Sequence, residues 1–312
     1  MDKSFVSGIE GKNGFVETVC ALCETNTHDK LLYPARLDFE ALSYQAFSAR
    51  HLPHRYHYRV VRCRRCGLVR SNPILDETAL ARLYAGSHFI YEHEASFAAE
   101  TYLFYLRWAL RHLEEEANLL EIGCGNGFFL QKARDIGIQQ VFGIEPSQES
   151  VEKAGPLKPN IHRGMFRSGI YPEKSFNLIC AFQVFDHISQ PNQFLEQCGR
   201  YLKKEGIVLF INHDVGSMMA RLLGENNAMI DIGHTFLYDR KTIRKIFEKN
   251  HYEILKIFRV ANRYPLSYWL RLAPFVNSIK SKLIKSAQNF RIANIPLKLK
   301  VGNMGVIARV IK

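Results

Sequence analysis

The 312-residue chain predicts an α/β fold: a doubly wound, mostly parallel sheet preceded by a small metal-binding module. Three observations carry this expectation. From Asn118 onward short apolar runs alternate with amphipathic stretches, the βαβ rhythm of a parallel sheet. A glycine-rich turn, Gly123-Cys-Gly-Asn-Gly127, separates the first of those runs from an apolar helical stretch. Two C-x-x-C pairs, Cys20/Cys23 and Cys63/Cys66, stand 39 residues apart near the N-terminus.

Composition bounds the reading further. With 47% hydrophobic, 12% aromatic and 23% charged residues, the chain is neither disordered, collagenous nor disulfide-dense, and its length suits roughly two domains. Apolar runs such as Phe176 to Phe185 fall well short of the roughly 20 residues that span a bilayer. The start Met1-Asp2-Lys3-Ser4 lacks the apolar centre of a secretory signal, so the expected location is cytoplasmic.

In chain order, residues 1–85 hold the cysteine pairs, short alternating stretches such as Arg55 to Val61 and the turn Ser71-Asn-Pro73, and read as a β-rich metal module. Residues 86–117 read as a helical linker, with Phe97, Tyr102, Tyr105, Leu106, Ala109, Leu110 and Leu113 at helical spacing. Residues 118–264 supply the sheet: runs at Leu119–Ile122, Gln140–Ile144, Phe176–Phe182 and Ile207–Ile211, with helices expected at Phe128–Ile136, Gln148–Ala154 and Gln193–Leu202 between them. Tyr252–Val260 and Met304–Ile311 read as two further strands. They bracket a basic helical stretch, so residues 265–312 form an extension that ends in the last strand.

Each C-x-x-C turn presents two thiolates to one tetrahedral ion, and two such turns complete a four-cysteine site of zinc-ribbon-like type. Cys20, Cys23, Cys63 and Cys66 are therefore the expected ligands of a structural Zn2+, with Gly67 supplying the left-handed turn behind Cys66. A site closed by four thiolates scaffolds and does not catalyse. Cys124, Cys180 and Cys198 stand singly in apolar or helical contexts.

The stretch Leu120-Glu-Ile-Gly-Cys-Gly-Asn-Gly-Phe128 follows a strand and opens a helix, where a nucleoside cofactor meets the carboxyl edge of such a sheet. Counted from Gly123, the third glycine of G-x-G-x-x-G would fall on Phe128, and no G-K-[ST] loop is present, so nothing here is built for a pyrophosphate or triphosphate. The order is instead E-x-G-x-G-x-G, in which an acid ends the strand and the backbone can close on a ligand. Glu145 ends the next strand, where a carboxylate can accept both ribose hydroxyls.

With Phe176-Asn-Leu-Ile-Cys-Ala-Phe182 and Leu202-Lys-Lys-Glu-Gly-Ile-Val-Leu209 following in order, residues 118 to about 260 resemble the class I S-adenosylmethionine-dependent methyltransferases. The resemblance implies a Rossmann-like seven-stranded sheet with a terminal antiparallel pair. It assigns Glu121, Gly123, Gly125 and Gly127 to the methionine part of S-adenosyl-L-methionine and Glu145 to its ribose. Met165 and Phe166 stand where many relatives carry an acid for the adenine amine, which implies apolar packing of the base, and Gln183 completes the cofactor set.

Methyl transfer from a sulfonium needs mainly in-line positioning, plus a base where the acceptor loses a proton. The tetrad that relatives use on exocyclic amines is replaced by Phe182-Gln-Val-Phe185, and the Pro-Cys of cytosine C5 methylation is absent. Candidate bases are His187, His213 and His234. The cysteine pairs, Cys66-Gly-Leu68 and Phe89-Ile-Tyr91 are also similar to the N-terminal half of sugar C-methyltransferases and polysaccharide-cluster enzymes, which implies that Tyr91 approaches the cofactor. Gly233 stands where those enzymes place an acid, and the remaining residues leave no room for their additional C-terminal domain. The expected acceptor is a small molecule, a sugar nucleotide, glycan or lipid precursor methylated on carbon or oxygen, with a polyketide-like acceptor and an isoprenoid quinone also open. The competing class is a zinc-dependent nucleic-acid-binding protein with an inactive or RNA-directed methyltransferase domain, although nucleic acid is the disfavoured partner.

Charge is uneven. The net is +12, yet Asp239 to Lys312 carries 17 Lys and Arg against Asp239, Glu248 and Glu253, and the preceding residues are close to neutral. Between Pro265 and Arg291, Phe275, Val276, Ile279 and Leu283 follow helical spacing while Lys280, Lys282, Lys285 and Arg291 accumulate without an acid, just after Tyr268 and Trp269. Two readings stand: packing on the core, or peripheral attachment to an anionic membrane or phosphorylated carrier, with the aromatic pair at the headgroup boundary. Oligomeric state is not set by any of these features.

Overall fold

A computed structural model describes residues 14–37, 43–48, 55–88, 92–273 and 277–311. The N-terminal part forms five short strands, β1 (Phe15–Val16), β2 (Asp29–Tyr33), β3 (Val60–Cys63), β4 (Val69–Ser71) and β5 (Ile74–Leu75). β1 pairs with β5, while β2, β3 and β4 run antiparallel side by side. Arg70 is fully buried and would be costly there without a partner. Its guanidinium meets both carboxylate oxygens of Asp29, at 2.8 and 2.6 Å, and its Nε donates to Thr18.

Two helices follow. Asp76 caps α1 (Glu77–Ala85) by accepting the Ala79 N–H at 2.8 Å, which satisfies one of the free donors of the first turn. α2 (Glu92–Leu110) buries Tyr102, Tyr105, Leu106 and Ala109, the residues whose spacing predicted it. Tyr102 stacks on Phe182 at 4.1 Å between ring centres, which ties this helix to the sheet below.

The sheet is then built from β6 (Asn118–Ile122), β7 (Gln140–Glu145), β8 (Ile161–Arg163), β9 (Phe176–Phe182) and β10 (Leu202–His213). Between these strands lie α3 (Phe128–Asp135), α4 (Gln148–Glu152) and α5 (Pro191–Tyr201). Beyond β10 come α6 (Met218–Leu223), β11 (Phe236–Leu237) and α7 (Arg240–Lys249). The chain closes with β12 (Tyr252–Pro265), α8 (Leu266–Leu272), α9 (Asn277–Asn289) and β13 (Pro296–Val310).

Seven strands lie in the order β12-β13-β10-β9-β6-β7-β8, five of them parallel and the β12/β13 pair antiparallel. This is the expected Rossmann-like architecture. All seven residues of β9 are buried, as a central strand covered on both faces requires.

Three features depart from the local pattern. β8, only three residues long, carries too short a run to stand out by periodicity. β11 does not enter the large sheet but pairs antiparallel with β4, so the N-terminal sheet has the order β11-β4-β3-β2. β12 and β13 are longer than their apolar runs. Past the end of β10, where His213 faces Asn303, they continue as a hairpin paired only with each other up to Pro265 and Pro296. That hairpin rises above the carboxyl edge of the parallel strands and carries α8 and α9.

Candidate active site

The turn between β6 and α3 is held in shape by glycine. Gly123, Gly125 and Gly127 have φ of +72°, +58° and +76°, the left-handed region that L side chains rarely occupy. At Gly123 an added Cβ would also stand 2.5 Å from Val184 Cγ2. Glu145, buried at the end of β7, braces the turn: Oε2 accepts the Gly125 N–H and Oε1 the Ser147 N–H, each at 2.8 Å. Burial pushes its carboxyl above the usual range, and the two N–H donors oppose that shift.

Above this turn opens a cavity of about 400 Å³. It brings together Glu121, Gly123, Glu145, Met165, Phe166, Gln183, His187, His213 and His234, residues scattered over more than a hundred positions of sequence. Gly125 and Gly127 belong to the turn but not to the cavity wall. Tyr91 lies outside the described residues. Gln183 sits just past β9 at φ +58°, and its buried Oε1 has no hydrogen-bond partner among the described residues, an acceptor open to a ligand. Phe166 packs edge-on to Phe194 at 5.1 Å, fixing an apolar wall on the β8 side.

The three histidines form one cluster. The His234 ring lies 4.6 Å from that of His187 and 4.7 Å from that of His213. Asp186 Oδ2 lies 2.6 Å from His213 Nδ1 and accepts the His213 backbone N–H at 2.9 Å. With its amide nitrogen turned toward Asp186, Asn212 donates to Oδ1 at 3.0 Å. Burial alone would raise the Asp186 carboxyl, but the His213 contact outweighs it and holds the group down at about 2. His234 Nδ1 faces the Met229 carbonyl at 2.9 Å and must donate to it, which leaves Nε2 as an acceptor. Burial and the neighbouring imidazoles hold His234 down at about 3, and burial lowers His187 as well. His187 Nδ1 in turn lies 3.0 Å from the Tyr84 hydroxyl.

A family model described as "Methyltransferase domain" matches residues 91–257, more than half of the chain. The chain belongs to that family. Curated relatives include the ubiquinone biosynthesis O-methyltransferase of Rhodopseudomonas palustris, 27% identical over 122 residues that cover 37% of this chain and 48% of the relative. Another is the tRNA U34 carboxymethyltransferase of Idiomarina loihiensis, 29% identical over 106 residues, 30% of this chain and 33% of that protein. The chain thus spans about half the length of the first of these relatives. Among solved structures, the YcgJ protein of Bacillus subtilis is similar with a TM-score of 0.47 at 18% identity, covering 68% of this chain and 99% of that one.

The cysteine pairs of the chain converge as their spacing suggests. Cys20, Cys23, Cys63 and Cys66 place their sulfurs within 4.8 Å of one another, with Cys20 to Cys66 at 3.4 Å and Cys63 to Cys23 at 3.8 Å. Gly67, at φ +87°, makes the turn that follows Cys66. From this cluster β4 leads directly to the cavity: Ser71 donates its hydroxyl to the His234 carbonyl and its N–H to the Thr235 carbonyl, both at 2.8 Å.

Three cavity residues were not singled out by sequence reasoning, Tyr84, Asp231 and Tyr264, nor was the Asp186 carboxylate behind the cavity as partner of His213. Asp231 is buried beside the histidines and accepts the Gly233 N–H at 3.0 Å. Gly233 itself backs onto His187, where an added Cβ would stand 3.1 Å from Nδ1. An acidic side chain at that position would therefore press on His187, and the buried acid stands two residues earlier. Of the two readings open for Tyr268 and Trp269, the structure shows packing: they line the cavity, Tyr268 stacked on Tyr264 at 4.2 Å and the Trp269 indole N–H donating to the Leu297 carbonyl.

Proposed function

We propose that this methyltransferase methylates a hydroxyl of a lipid precursor, with His213 as the base. The observation that carries the reading is the Asp186–His213 contact at 2.6 Å beside a cavity whose far wall is apolar. Tyr264, Tyr268, Trp269, Leu272 and Val301 supply that wall, which suits an acceptor with a hydrocarbon portion better than a bare sugar nucleotide. The relatives named as ubiquinone biosynthesis O-methyltransferases support the same chemical class.

S-adenosylmethionine, when bound, supplies an activated methyl on a sulfonium whose departure leaves a neutral thioether. Glu121, Gly123 and Gln183 would receive its amino-acid end, and Glu145 would accept from the ribose with the lone pairs that Gly125 and Ser147 do not use. Met165 and Phe166 would pack against the adenine. Asp186 fixes His213 with Nδ1 as the proton-bearing nitrogen, which turns Nε2 to the acceptor. As the acceptor oxygen bonds to the methyl carbon, its proton passes to His213 Nε2, and the positive charge formed there is met by Asp186. His187 and His234, kept neutral, orient the acceptor by hydrogen bonds.

The four-cysteine cluster is proposed to hold a structural Zn2+. Zinc–sulfur bonds of about 2.3 Å give sulfur–sulfur edges of roughly 3.8 Å in a tetrahedron, close to the separations found here. The metal would lock the β3–β4 turn, and through β4 and β11 the position of His234.

Incubation with methyl-labelled S-adenosylmethionine and either a polar-lipid precursor extract or a set of sugar nucleotides tests the acceptor class. Label entering the solvent-extractable fraction is expected. Label confined to sugar nucleotides would move the acceptor to the glycan class.

A further inference from the structure

From Ile254 to Lys312 the chain contains no Asp or Glu, only cations. This stretch forms most of β12, then α8, α9 and β13. On α9, Ala287 is buried, yet Ile279 and Leu283, four residues apart and so on one face, remain 46% and 39% exposed. Phe290 is 75% exposed, and Ile292 and Ile295 on the return to β13 are 39% and 48% exposed. Lys282, Lys285 and Arg291 stand exposed among them. Packing on the core therefore leaves Ile279 and Leu283 of the apolar stripe partly open, while Phe275 and Val276 lie outside the described residues. Aliphatic side chains of this size left open in a cluster mark a surface that meets a partner. The same hairpin has an inner side: Tyr268, Trp269 and Leu272 of α8 and Val301 of β13 line the acceptor cavity.

We infer that the outer side of the β12–β13 hairpin docks the methyltransferase on an anionic lipid bilayer, so that the cavity mouth opens beside the phase that holds a lipid acceptor. The inference rests on the lipid-precursor reading of the site for its purpose, though not for the docking itself. Charge complementarity selects this occupant. Exposed Lys282, Lys285 and Arg291, on a stretch with no acid of its own, match an anionic headgroup layer, and Ile279, Leu283 and Phe290 can enter the acyl boundary beneath it. A second copy of the chain is disfavoured, because a two-fold contact would bring the same cations face to face. A nucleic acid would engage the cations but leave the aliphatic residues in water. Among the described residues no helix is long and apolar enough to cross a membrane, so the attachment is peripheral.

Co-sedimentation of the full chain with phosphatidylcholine vesicles, with and without phosphatidylglycerol, tests the inference. Binding should require phosphatidylglycerol, fade at high salt, and weaken tenfold or more in the double variant Lys282→Gln/Lys285→Gln. That figure follows from about 1 kcal/mol, or about fivefold, per cation near the surface. Leu283→Asp/Phe290→Asp should also abolish it, while titration with S-adenosylhomocysteine reports that each variant is folded. No binding to either vesicle overturns the inference. So does a dimer that Leu283→Asp dissolves without any vesicle binding, or retention by an unrelated oligonucleotide that needs the lysines and not Leu283 or Phe290. Vesicle binding without methylation of any lipid would leave the docking surface in place and remove only the acceptor reading.

Discussion

Asp186 grips His213 twice, through the imidazole Nδ1 at 2.6 Å and through the backbone N–H at 2.9 Å, so the last residue of β10 is tied to the turn after β9. The carboxylate thus sets both where the imidazole stands and which of its nitrogens faces the cavity.

That arrangement predicts a division among the three histidines. His213→Gln should lower kcat by about 10²- to 10⁴-fold, the range for loss of a general base. Asp186→Asn should lower kcat by a comparable factor with little change in KM for the methyl donor, because the tautomer and not the cofactor site is lost. His187→Gln and His234→Asn should raise KM for the acceptor more than they lower kcat. Steady-state kinetics with the acceptor identified by labelling separates these outcomes.

Stability should depend on pH through the same cluster. His234 is held down at about 3 and so stays neutral in the folded chain, and His187 is lowered as well, while the unfolded chain protonates both near the ordinary histidine value of about 6.5. The unfolded state then binds more protons as pH falls, and stability drops from about pH 6.5 downward by up to about 1.4 kcal/mol per pH unit for each histidine. Asp186 acts later in the same direction: with its pKa depressed to about 2, its contribution is present above about pH 4 and is lost as pH falls toward 2. His234→Asn, which can keep the donor to the Met229 carbonyl, should flatten the slope between pH 6.5 and about 4.5 in melts. An unchanged slope would show that His234 takes up its proton without unfolding.

The metal reading separates scaffold from chemistry. Purified without chelator, the chain should carry one zinc, and Cys63→Ser or strong chelation should remove it. Binding of S-adenosylhomocysteine should survive, since the glycine turn and Glu145 belong to the large sheet. Methyl transfer should fall, because Ser71 on β4 holds the His234 and Thr235 carbonyls. Zinc-free protein with full activity would refute the role.

Much of this was legible because it is local. Phe176 to Phe182 reads as a buried strand from seven residues alone, and the E-x-G-x-G-x-G turn carries its own backbone requirement at Gly123. His187 and His213 could be grouped because each follows the carboxyl end of a strand. What the sequence hid is long-range. The Tyr84 hydroxyl reaches His187 across 103 positions, and β11 leaves the large sheet to pair with β4, neither of which leaves a periodic trace. Tyr268 and Trp269 resembled interfacial residues because α8, only seven residues long, shows too little of a helical period to reveal which side faces inward.

The most direct test of the account is calorimetric titration of S-adenosylhomocysteine into the wild-type chain, Glu145→Ala and Gly123→Ala. Wild type should bind one equivalent. Glu145→Ala should bind more weakly by about 1–3 kcal/mol, through lost charge-assisted hydrogen bonds. Gly123→Ala should also bind more weakly, because its Cβ meets Val184 in a left-handed turn. A wild-type chain that binds NAD but neither S-adenosylmethionine nor its demethylated product would contradict the account.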